Sequence, residues 1–380
     1  MPVTSSTTPT ARAEQWASTM AGHAVVNKGP AGREVRLAHL GDDAVTVSGL
    51  LFDRMDRELA EDAELAAGAT RSKGAGRRAR QEEPDEWRTC FERDRDRILH
   101  SPAFRRLAGK TQVFIFPADH QRTRLTHALE VAQVATAIAR ACRLNVALVE
   151  AIALGHDCGH GPGGHASEDA MEVFVPGFDH AVWGADVTAA PLNLCAETLD
   201  GIRNHSWSRP SPSTAEGQVV GLADRIAYCA HDLEDAVHAG VVSPADVPDS
   251  VTEVCGLHRS EQLRAFISDV VESVCETGLI GFSAPLAEAL GELRRFNHER
   301  IYLRSESVAQ AQAVIAMLRA LVEDFIEKPS LLPPDLREAT DGVKAAVAYV
   351  SGMTDRYSCA QAVALLDWPE HQLPRGQYQS

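Results

Sequence analysis

The sequence has no long hydrophobic run and no closely paired cysteines. No apolar segment approaches the roughly 20 residues needed to cross a bilayer, and the first residues, MPVTSSTTPTARAEQW, lack the apolar centre of a secretory signal. The eight cysteines form no C-x-x-C pair, which argues against a zinc ribbon or a disulfide framework. These absences predict a cytoplasmic protein with reduced thiols and no membrane association.

Basic charge is also scarce. The chain carries 37 lysines and arginines against 53 aspartates and glutamates, a net charge of -16. Such a protein is poorly suited to coating nucleic acid or an anionic membrane with its whole surface. An anionic substrate is still compatible, because a metal ion and a few arginines can reverse the field inside a cleft. The motif G-x-x-x-x-G-K-[ST] is missing, which argues against a P-loop nucleotide hydrolase.

Residues 1–86 differ in composition from the rest of the chain. They are rich in Ser, Thr, Ala and Gly, and they contain a basic block, RSKGAGRRAR at 71–80, followed by the acidic QEEPDE. This pattern predicts a flexible N-terminal extension with one short helix within 35–64. A basic arm that binds nucleic acid or a partner subunit is the weaker alternative.

Helical patterns dominate from residue 87 to residue 380. NVALVEAIALGHD, at 145–157, is apolar nearly all round and predicts a buried helix that ends at the glycines. Thr126 is the expected cap of the preceding helix, and Ser213 with Glu216 has the spacing of a capping box for a later one. Strand patterns are few. We therefore expect an all-α fold: a helical bundle with additional C-terminal helices and few or no strands.

Nine of the fifteen histidines lie between residues 120 and 238. His156 and Asp157 are adjacent at the end of the buried helix, where both side chains can reach one ion because the helix stops. His127 and Asp224, on two other helices, are the expected further ligands, since a carboxylate on an apolar helix is costly unless paired or metal-bound. This donor set suits Mn, Fe, Zn or Ni, and Mg least well.

Asp224, Tyr228 and Asp232 follow one another at steps of four and share one helix face. A solvent-exposed stripe is the alternative, but the apolar residues around them favour the wall of a polar pocket. The cations near the same segments match phosphate oxygens; they are Lys110, Arg122, Arg124 and Arg225. Together with a metal ion, they point to hydrolysis of a phosphate ester.

The glycine-rich loop after the His–Asp pair carries two more histidines, His160 and His165. Glu168 lies three residues further on, so His165 and Glu168 form a candidate general acid with its orienting partner. An equally weighted alternative for Glu168 is a helix-dipole residue at the start of the next helix.

Five segments of the chain resemble the HD-domain deoxynucleoside triphosphate triphosphohydrolases, the dGTPase-like group. They are RDRDRILHSPAFRRLAGKTQVF, RTRLTHALEVAQVATAIAR, AIALGHDCGHGPGGHASEDAM, GQVVGLADRIAYCAHDLEDAVHAG and MTDRYS. The resemblance covers about residues 87–360 and implies an HD core near 120–240, with a helical C-terminal part over 241–380. It implies cleavage of a dNTP, with dGTP favoured, to the deoxynucleoside and inorganic tripolyphosphate.

The resemblance also implies a role for individual residues. The metal ligands would be His127, His156, Asp157 and Asp224. The residues that position water and transfer protons would be His160, His165 and Glu168, with His180 as a catalytic helper. The substrate contacts would be Arg124 and Arg225 on phosphates and Gln112, Tyr228 and Asp232 on the deoxyribose. The cofactor would be a divalent metal among Mn, Mg, Fe, Ni and Zn, with Mn favoured. Family members form dimers and hexamers, and some bind a nucleotide effector.

Two positions depart from the family pattern. Gly163 stands where an aromatic residue follows HGP, and a glycine there should loosen the loop that carries His165. The family segment F-[DE]-H-N-x-Q-S is FDHAVWG at 178–184, which keeps His180 but not the Asn and Gln. The second departure motivates an alternative, a nucleotide-binding regulator with a degenerate HD site. Another HD phosphohydrolase, such as a nucleotidase or a phosphodiesterase, is the other alternative.

Overall fold

The computed structural model describes residues 10–20, 22–25, 35–39, 47, 51–338 and 340–376. The chain divides into two compact units, Met1–Leu51 and Phe52–Ser380. In the first unit, helix α1 (Ala11–Ser18) is capped by Thr10, and strands β1 (His23–Val25) and β2 (Val35–Leu37) pair antiparallel. Much of the predicted flexible extension before residue 51 lies outside the described residues.

The second unit is built from helices throughout its described part. They are α2 (Arg54–Glu64), α3 (Cys90–His100), α4 (Pro102–Arg106), α5 (Arg124–Ala141), α6 (Val146–Gly155), α7 (Ala166–Met171), α8 (His180–Trp183), α9 (Ala196–Asn204), α10 (Ala215–His238), α11 (Asp249–Cys255), α12 (Arg259–Thr277), α13 (Ala284–Asn297), α14 (Ser305–Glu327), α15 (Pro334–Arg337), α16 (Gly342–Ser351) and α17 (Asp355–Leu366). Two π-helical turns, Gly184–Thr188 and His298–Tyr302, follow α8 and α13. The prediction of an all-α fold with few strands is confirmed. Among the described residues, no helix has the length and apolarity required to cross a bilayer.

The main core forms where α5, α6 and α10 meet. α5 packs against both other helices, and α6 also contacts α3 and α9. Buried apolar side chains such as Val131, Ile138 and Ile226 fill the space between them, and each contributes on the order of 1.5 to 3 kcal/mol. Gly201 allows α9 to approach α6, because a Cβ there would lie 2.4 Å from the Ile152 side chain. Each of the three central helices carries or adjoins candidate metal ligands.

A second core joins the C-terminal helices to the central ones. Helix α14 packs against α7, α16 and α17, with Leu318, Leu321 and Phe325 buried among them. Because α7 follows directly after the glycine-rich loop, this core places the C-terminal helices beside the histidine cluster.

Two helix starts differ from the sequence prediction. α5 begins at Arg124 and is capped by Thr123, so Thr126 lies inside its first turn. α10 is capped by Thr214 rather than Ser213. The Glu216 carboxylate is fully buried and accepts hydrogen bonds from distant backbone, including the amides of Thr70 and Asn145. Its spacing therefore reflects tertiary packing and not a capping box.

The helical unit begins at Phe52, and the predicted boundary near residue 86 does not match it. Arg78, within the basic block, forms an ion pair with Asp94 at 2.5 Å, with side chains only 6% and 0% exposed. Glu61 on α2 accepts hydrogen bonds from Ser72. Composition alone indicated a solvated tail, because it does not reveal that one arginine of the block neutralises a buried aspartate more than ten residues away.

Substitution of Arg78 tests this packing. Arg78→Met should lower the free energy of unfolding by about 3 to 5 kcal/mol, because Asp94 stays buried without its counterion. Urea unfolding monitored by circular dichroism measures the change. The exposed neighbour Arg77 supplies the control, and Arg77→Met should change stability by less than about 0.5 kcal/mol. Equal effects of the two substitutions would contradict the buried pair.

Candidate metal centre and substrate cleft

A cleft of about 790 Å³ opens beside the histidine cluster. Its lining includes most residues predicted for the site: Gln112, Arg124, His127, Asp157, His160, His165, His180, Asp224, Arg225, Tyr228 and Asp232. His156 and Glu168 lie behind this surface. The structure therefore brings the predicted residues to one place, although they span 121 positions of sequence from 112 to 232.

The four predicted metal ligands converge from α5, the end of α6 and α10. His127 Nε2 lies 3.0 Å from Asp224 Oδ1 and 3.9 Å from Asp157 Oδ2. His156 Nε2 lies 3.6 Å from Asp224 Oδ1 and 3.5 Å from Asp157 Oδ1. Ligand atoms about 2.0 to 2.2 Å from one ion are separated by distances of this kind.

The surroundings of these residues fit a divalent cation. His156 Nδ1 lies 2.7 Å from the carbonyl oxygen of Ala153, which leaves its buried Nε2 without a hydrogen-bond partner. A carbonyl on one ring nitrogen and an ion on the other is the usual arrangement of a metal-binding histidine. Burial alone would raise the pKa of Asp157, but Arg124 and the nearby histidines outweigh burial and hold that pKa well below its ordinary value. Two imidazoles and two carboxylates suit a first-row transition metal.

The Arg124 guanidinium contacts the candidate metal centre through one nitrogen, and its other two nitrogens have no partner. Its Nη1 donates to Asp157 Oδ2 at 2.7 Å, while its Nε and Nη2 are buried without acceptors. The unpaired N–H groups can bind an anion in the cleft. Arg225 also lines the cleft, with its guanidinium 3.5 Å above the centre of the Trp207 ring.

Two other predicted cations are engaged elsewhere. Arg122 pairs with three carboxylates, those of Glu130, Glu234 and Asp235. Lys110 donates to the backbone carbonyls of His160 and Ser351. Neither residue lines the cleft, so we assign both a role in holding the fold together.

Glu168 has a different histidine partner from the one expected. Its Oε1 contacts Nδ1 of His180 at short range, while His165 lies at the cleft surface. The His160 ring stacks on the His180 ring at a centroid distance of 3.7 Å, and His160 Nε2 lies 3.3 Å from Asp157 Oδ1. Glu168 also occupies the first turn of α7, so the helix-dipole position and the histidine pairing coexist.

The wall formed by α10 contains unsatisfied polar groups that face the cleft. Tyr302 donates to Asp232 Oδ2 at 2.5 Å, and Arg294 donates to the Tyr228 hydroxyl at 3.0 Å. The second oxygen of Asp232 and Oε1 of Gln112 are buried without partners. Buried polar atoms without partners are rare in folded proteins, so these two oxygens are available to a ligand in the cleft.

Comparisons with known proteins agree with this geometry. The HD domain model matches residues 124–229, and the phosphohydrolase-associated domain model matches residues 280–363. A deoxyguanosinetriphosphate triphosphohydrolase-like protein of Caldanaerobacter subterraneus subsp. tengcongensis is 41% identical over 332 residues, which cover 84% of this chain and 96% of that protein. The chain belongs to the HD-domain deoxyguanosinetriphosphate triphosphohydrolase-like family.

Other members of the family are similarly related to this phosphohydrolase. A protein of the same description from Clostridium perfringens is 41% identical over 299 residues, covering 74% of this chain and 87% of its own length. Among solved structures, a hypothetical protein from Aquifex aeolicus covers 70% of this chain and 67% of its own at 17% identity and a TM-score of 0.46. That likeness is too distant to bear on function.

His205 is a site residue that the sequence reasoning missed. It is buried directly after α9, with its ring 4.9 Å from that of His156 and its Nε2 3.3 Å from Nε2 of His180. Its Nδ1 lies 2.8 Å from the Ile202 carbonyl oxygen, three residues earlier in the chain. His156 has the same local arrangement at the end of α6, so a histidine that follows a helix with an apolar face was the available signal.

The phosphohydrolase-associated segment of this family member forms hydrogen bonds with the glycine-rich loop. Asp355 Oδ2 accepts hydrogen bonds from the amide and hydroxyl of Thr111, and Oδ1 accepts one from the Gly163 amide at 2.9 Å. Gly163 has φ +74°, and a Cβ there would lie 2.6 Å from Val314. The expectation that Gly163 loosens the loop is therefore wrong for this chain: the glycine allows a left-handed turn that Asp355 and α14 hold closed.

Removal of this carboxylate should free the loop. In Asp355→Asn, one of the two amide donors faces an NH₂ group instead of an oxygen, so a hydrogen bond is lost at Thr111 or Gly163. Hydrogen exchange of peptides spanning these two amides should become at least about tenfold faster, the effect of a loss of about 1.4 kcal/mol. The exposed Asp335→Asn should leave their exchange unchanged. Protection equal to that of the wild type in Asp355→Asn would refute the anchor.

Asp232 should make stability depend on pH. Burial is the main cause that raises its pKa, to about 7. A carboxyl whose folded pKa lies above its unfolded value near 4 stabilises the fold most below pH 4, and that contribution is lost as the pH rises to 7. The metal-free Asp232→Asn variant should therefore gain stability relative to the wild type between pH 4 and 7, by at most about 1.4 kcal/mol per pH unit.

The measurement is urea unfolding of both proteins at fixed pH values from 4.5 to 8, with chelator present. Above pH 7 the difference between them should be constant. The exposed Asp249→Asn variant controls for the loss of one negative charge and should track the wild type. A difference between Asp232→Asn and the wild type that does not change with pH would contradict the raised pKa.

Proposed function

We propose that this protein is a metal-dependent triphosphohydrolase that cleaves dNTPs, with dGTP favoured, to a deoxynucleoside and inorganic tripolyphosphate. The observation that carries the proposal is one continuous cleft, lined by predicted metal ligands, by Arg124 and by Tyr228 and Asp232. A volume of about 790 Å³ lies within the usual range for small-molecule sites. The family relation to proteins named for dGTP hydrolysis supports the substrate class.

The metal would be held by His127, His156, Asp157 and Asp224. A divalent ion held there would supply Lewis-acid neutralisation of charge at the α-phosphate and would lower the pKa of a bound water. The donor set of imidazoles and carboxylates fits several first-row metals, and manganese remains the ion that the family resemblance favours.

The arginines would bind the triphosphate. Arg124 has two unpaired guanidinium nitrogens, and Arg225 lies along the same cleft above Trp207. Guanidinium groups match phosphate oxygens in two-point contacts. Since Arg124 is also fixed by Asp157, the phosphate would be aligned with the metal ligands by a single side chain.

Proton transfer would be the role of the histidine cluster. In the reaction, a water oxygen bonds to the α-phosphorus, and the 5′ oxygen of the sugar leaves and takes up a proton. Of the histidines that line the cleft near the metal ligands, His165 is the solvent-exposed one, and it would supply that proton. His160, beside Asp157, would position the water, while His180 fixes the Glu168 carboxylate behind them.

The polar wall would read the deoxyribose. Gln112 Oε1 and Asp232 Oδ1 belong to residues of the cleft lining and are buried without donors, and a sugar 3′-hydroxyl can donate to such an oxygen. Tyr228 completes the wall beside Arg294. The base preference, assembly into dimers or hexamers and binding of a nucleotide effector stay predictions of the family resemblance.

The decisive assay supplies Mn²⁺ and each of the four dNTPs and separates the products by ion-exchange chromatography. We expect tripolyphosphate and deoxynucleoside in equal amounts. Asp157→Ala should lower the rate by more than about 100-fold, because even residues behind metal ligands cost 10- to 100-fold when changed. Asp335→Ala, an exposed aspartate far along the chain, is the matched control and should retain the wild-type rate.

Other outcomes would reassign the protein. Release of pyrophosphate or of single phosphates would identify another HD phosphohydrolase, such as a nucleotidase or a phosphodiesterase. Tight dNTP binding without turnover at any metal would identify the nucleotide-binding regulator. Tripolyphosphate release at the wild-type rate by Asp157→Ala would refute the metal assignment.

A further inference from the structure

Trp207 is a large, exposed aromatic residue on the wall of the cleft. It is 47% exposed and lies two residues after the buried His205, between α9 and α10. Its indole Nε1 donates a hydrogen bond to the carbonyl oxygen of Gly221 at 2.8 Å. In an α-helix the same carbonyl accepts from the amide four residues later, here that of Arg225, because a carbonyl oxygen has two lone pairs. The indole is therefore bound to α10 one turn before Arg225.

Gly221 permits this contact because it has no side chain. A Cβ at position 221 would lie 2.7 Å from the carbonyl oxygen of His205, which is closer than real Cβ contacts come. The glycine thus allows the segment that carries Trp207 to lie directly against α10. The backbone contact and the indole hydrogen bond together fix where the ring lies along the helix.

One face of the Trp207 ring is covered by Arg225. The central carbon of the guanidinium lies 3.5 Å from the ring centroid, which is a cation–π contact. At this distance the guanidinium must lie flat on the ring, because an edge-on approach would bring its nitrogens inside van der Waals contact. Stacking uses the flat face of a guanidinium and leaves its in-plane N–H groups free to donate. Arg225 Nε is buried without a hydrogen-bond partner, and the residue lines the cleft.

The two arginines of the cleft are held in different ways. Asp157 fixes Arg124 through a charged hydrogen bond and offsets part of its charge. Trp207 is neutral, so the stacked Arg225 keeps its full charge and its in-plane donors. An arginine side chain restricted in this way loses less conformational entropy when it binds an anion. The stack therefore prepares Arg225 to bind a phosphate.

We propose that Trp207 is a positioning residue, which holds the Arg225 guanidinium in the orientation that binds the triphosphate of the substrate. This inference rests on the proposed function, because it takes a polyphosphate as the ligand of Arg225. Trp207 acts through Arg225 alone. Its removal should therefore weaken binding only while that arginine is present.

The test is a cycle of single and double substitutions in the full-length protein. Isothermal titration calorimetry measures binding of inorganic tripolyphosphate, added as its manganese complex. Trp207→Leu should weaken binding about three- to tenfold, the effect of losing one cation–π contact. Arg225→Met should weaken it at least as much, and adding Trp207→Leu to Arg225→Met should cause no further loss. Trp207→Phe keeps an aromatic face and should recover most of the affinity.

Trp87→Leu is the matched control, because Trp87 is 45% exposed and is not part of the cleft lining. It should bind tripolyphosphate with the wild-type affinity. Circular dichroism checks the fold of each variant, and Trp207→Met replaces Trp207→Leu if the leucine variant does not fold. Wild-type affinity in either single variant would overturn the proposal. So would losses that multiply in the double variant, or a wild-type protein that does not bind tripolyphosphate.

These results can be told apart from failure of the proposed function, because inorganic tripolyphosphate binds without any nucleotide being cleaved. A loss at Trp207 that depends on Arg225, without turnover of any dNTP, would keep the role of Trp207 and remove the hydrolytic assignment. Release of tripolyphosphate from dNTPs, with losses that multiply in the double variant, would keep the enzyme and remove the role of Trp207.

Discussion

The convergence of two carboxylates and two histidines where three apolar helices meet is the constraint on which the remaining structure depends. A carboxylate taken out of water is strongly destabilising unless it is paired or bound to a metal. At Asp157, burial raises the pKa, but Arg124 and the nearby histidines together outweigh burial and lower it. At Asp224, the contacts with His127 and His156 likewise hold the pKa below its ordinary value. The interior can therefore keep both groups ionised and ready to bind a cation.

This arrangement needs support from outside the HD domain. The loop from His156 to His165 contains four glycines, which have no side chain to pack. Asp355 compensates by binding one backbone amide of the loop and two groups of Thr111. Lys110 adds a bond to the His160 carbonyl from the neighbouring position. The phosphohydrolase-associated segment thus fixes the loop and the Gln112 region together, which explains why the two modules occur in one compact unit.

Local pattern was enough to predict some of the site and not the rest. The apolar run before His156 and the four-residue spacing from Asp224 to Asp232 are patterns that can be recognised in a single sequence. They led to the helices and to the residues that the structure brings together. His205 was missed because its neighbour His180 is 25 positions away and only the fold brings them into contact. The pairing of Arg78 with Asp94 was invisible for the same reason. The composition of a segment indicates only its average tendency to be exposed to solvent, and one buried arginine does not change that average.

The altered segment at 178–184 shows how a departure from the family pattern can leave the site intact. Asp179 caps α8 by accepting from the amides of Ala181 and Val182, which fixes the start of the helix at His180. Gly159 lies so close to α8 that a Cβ would fall 2.0 Å from the His180 carbonyl oxygen, so the glycine-rich loop packs α8 directly beside the predicted metal ligands. Within 178–187, His180 is the residue that lines the cleft. The positions that replace the family's Asn and Gln are Ala181 and Trp183, both buried, and Trp183 packs against Phe178. The substitutions therefore change the apolar packing beneath α8 and preserve the histidine that faces the cleft.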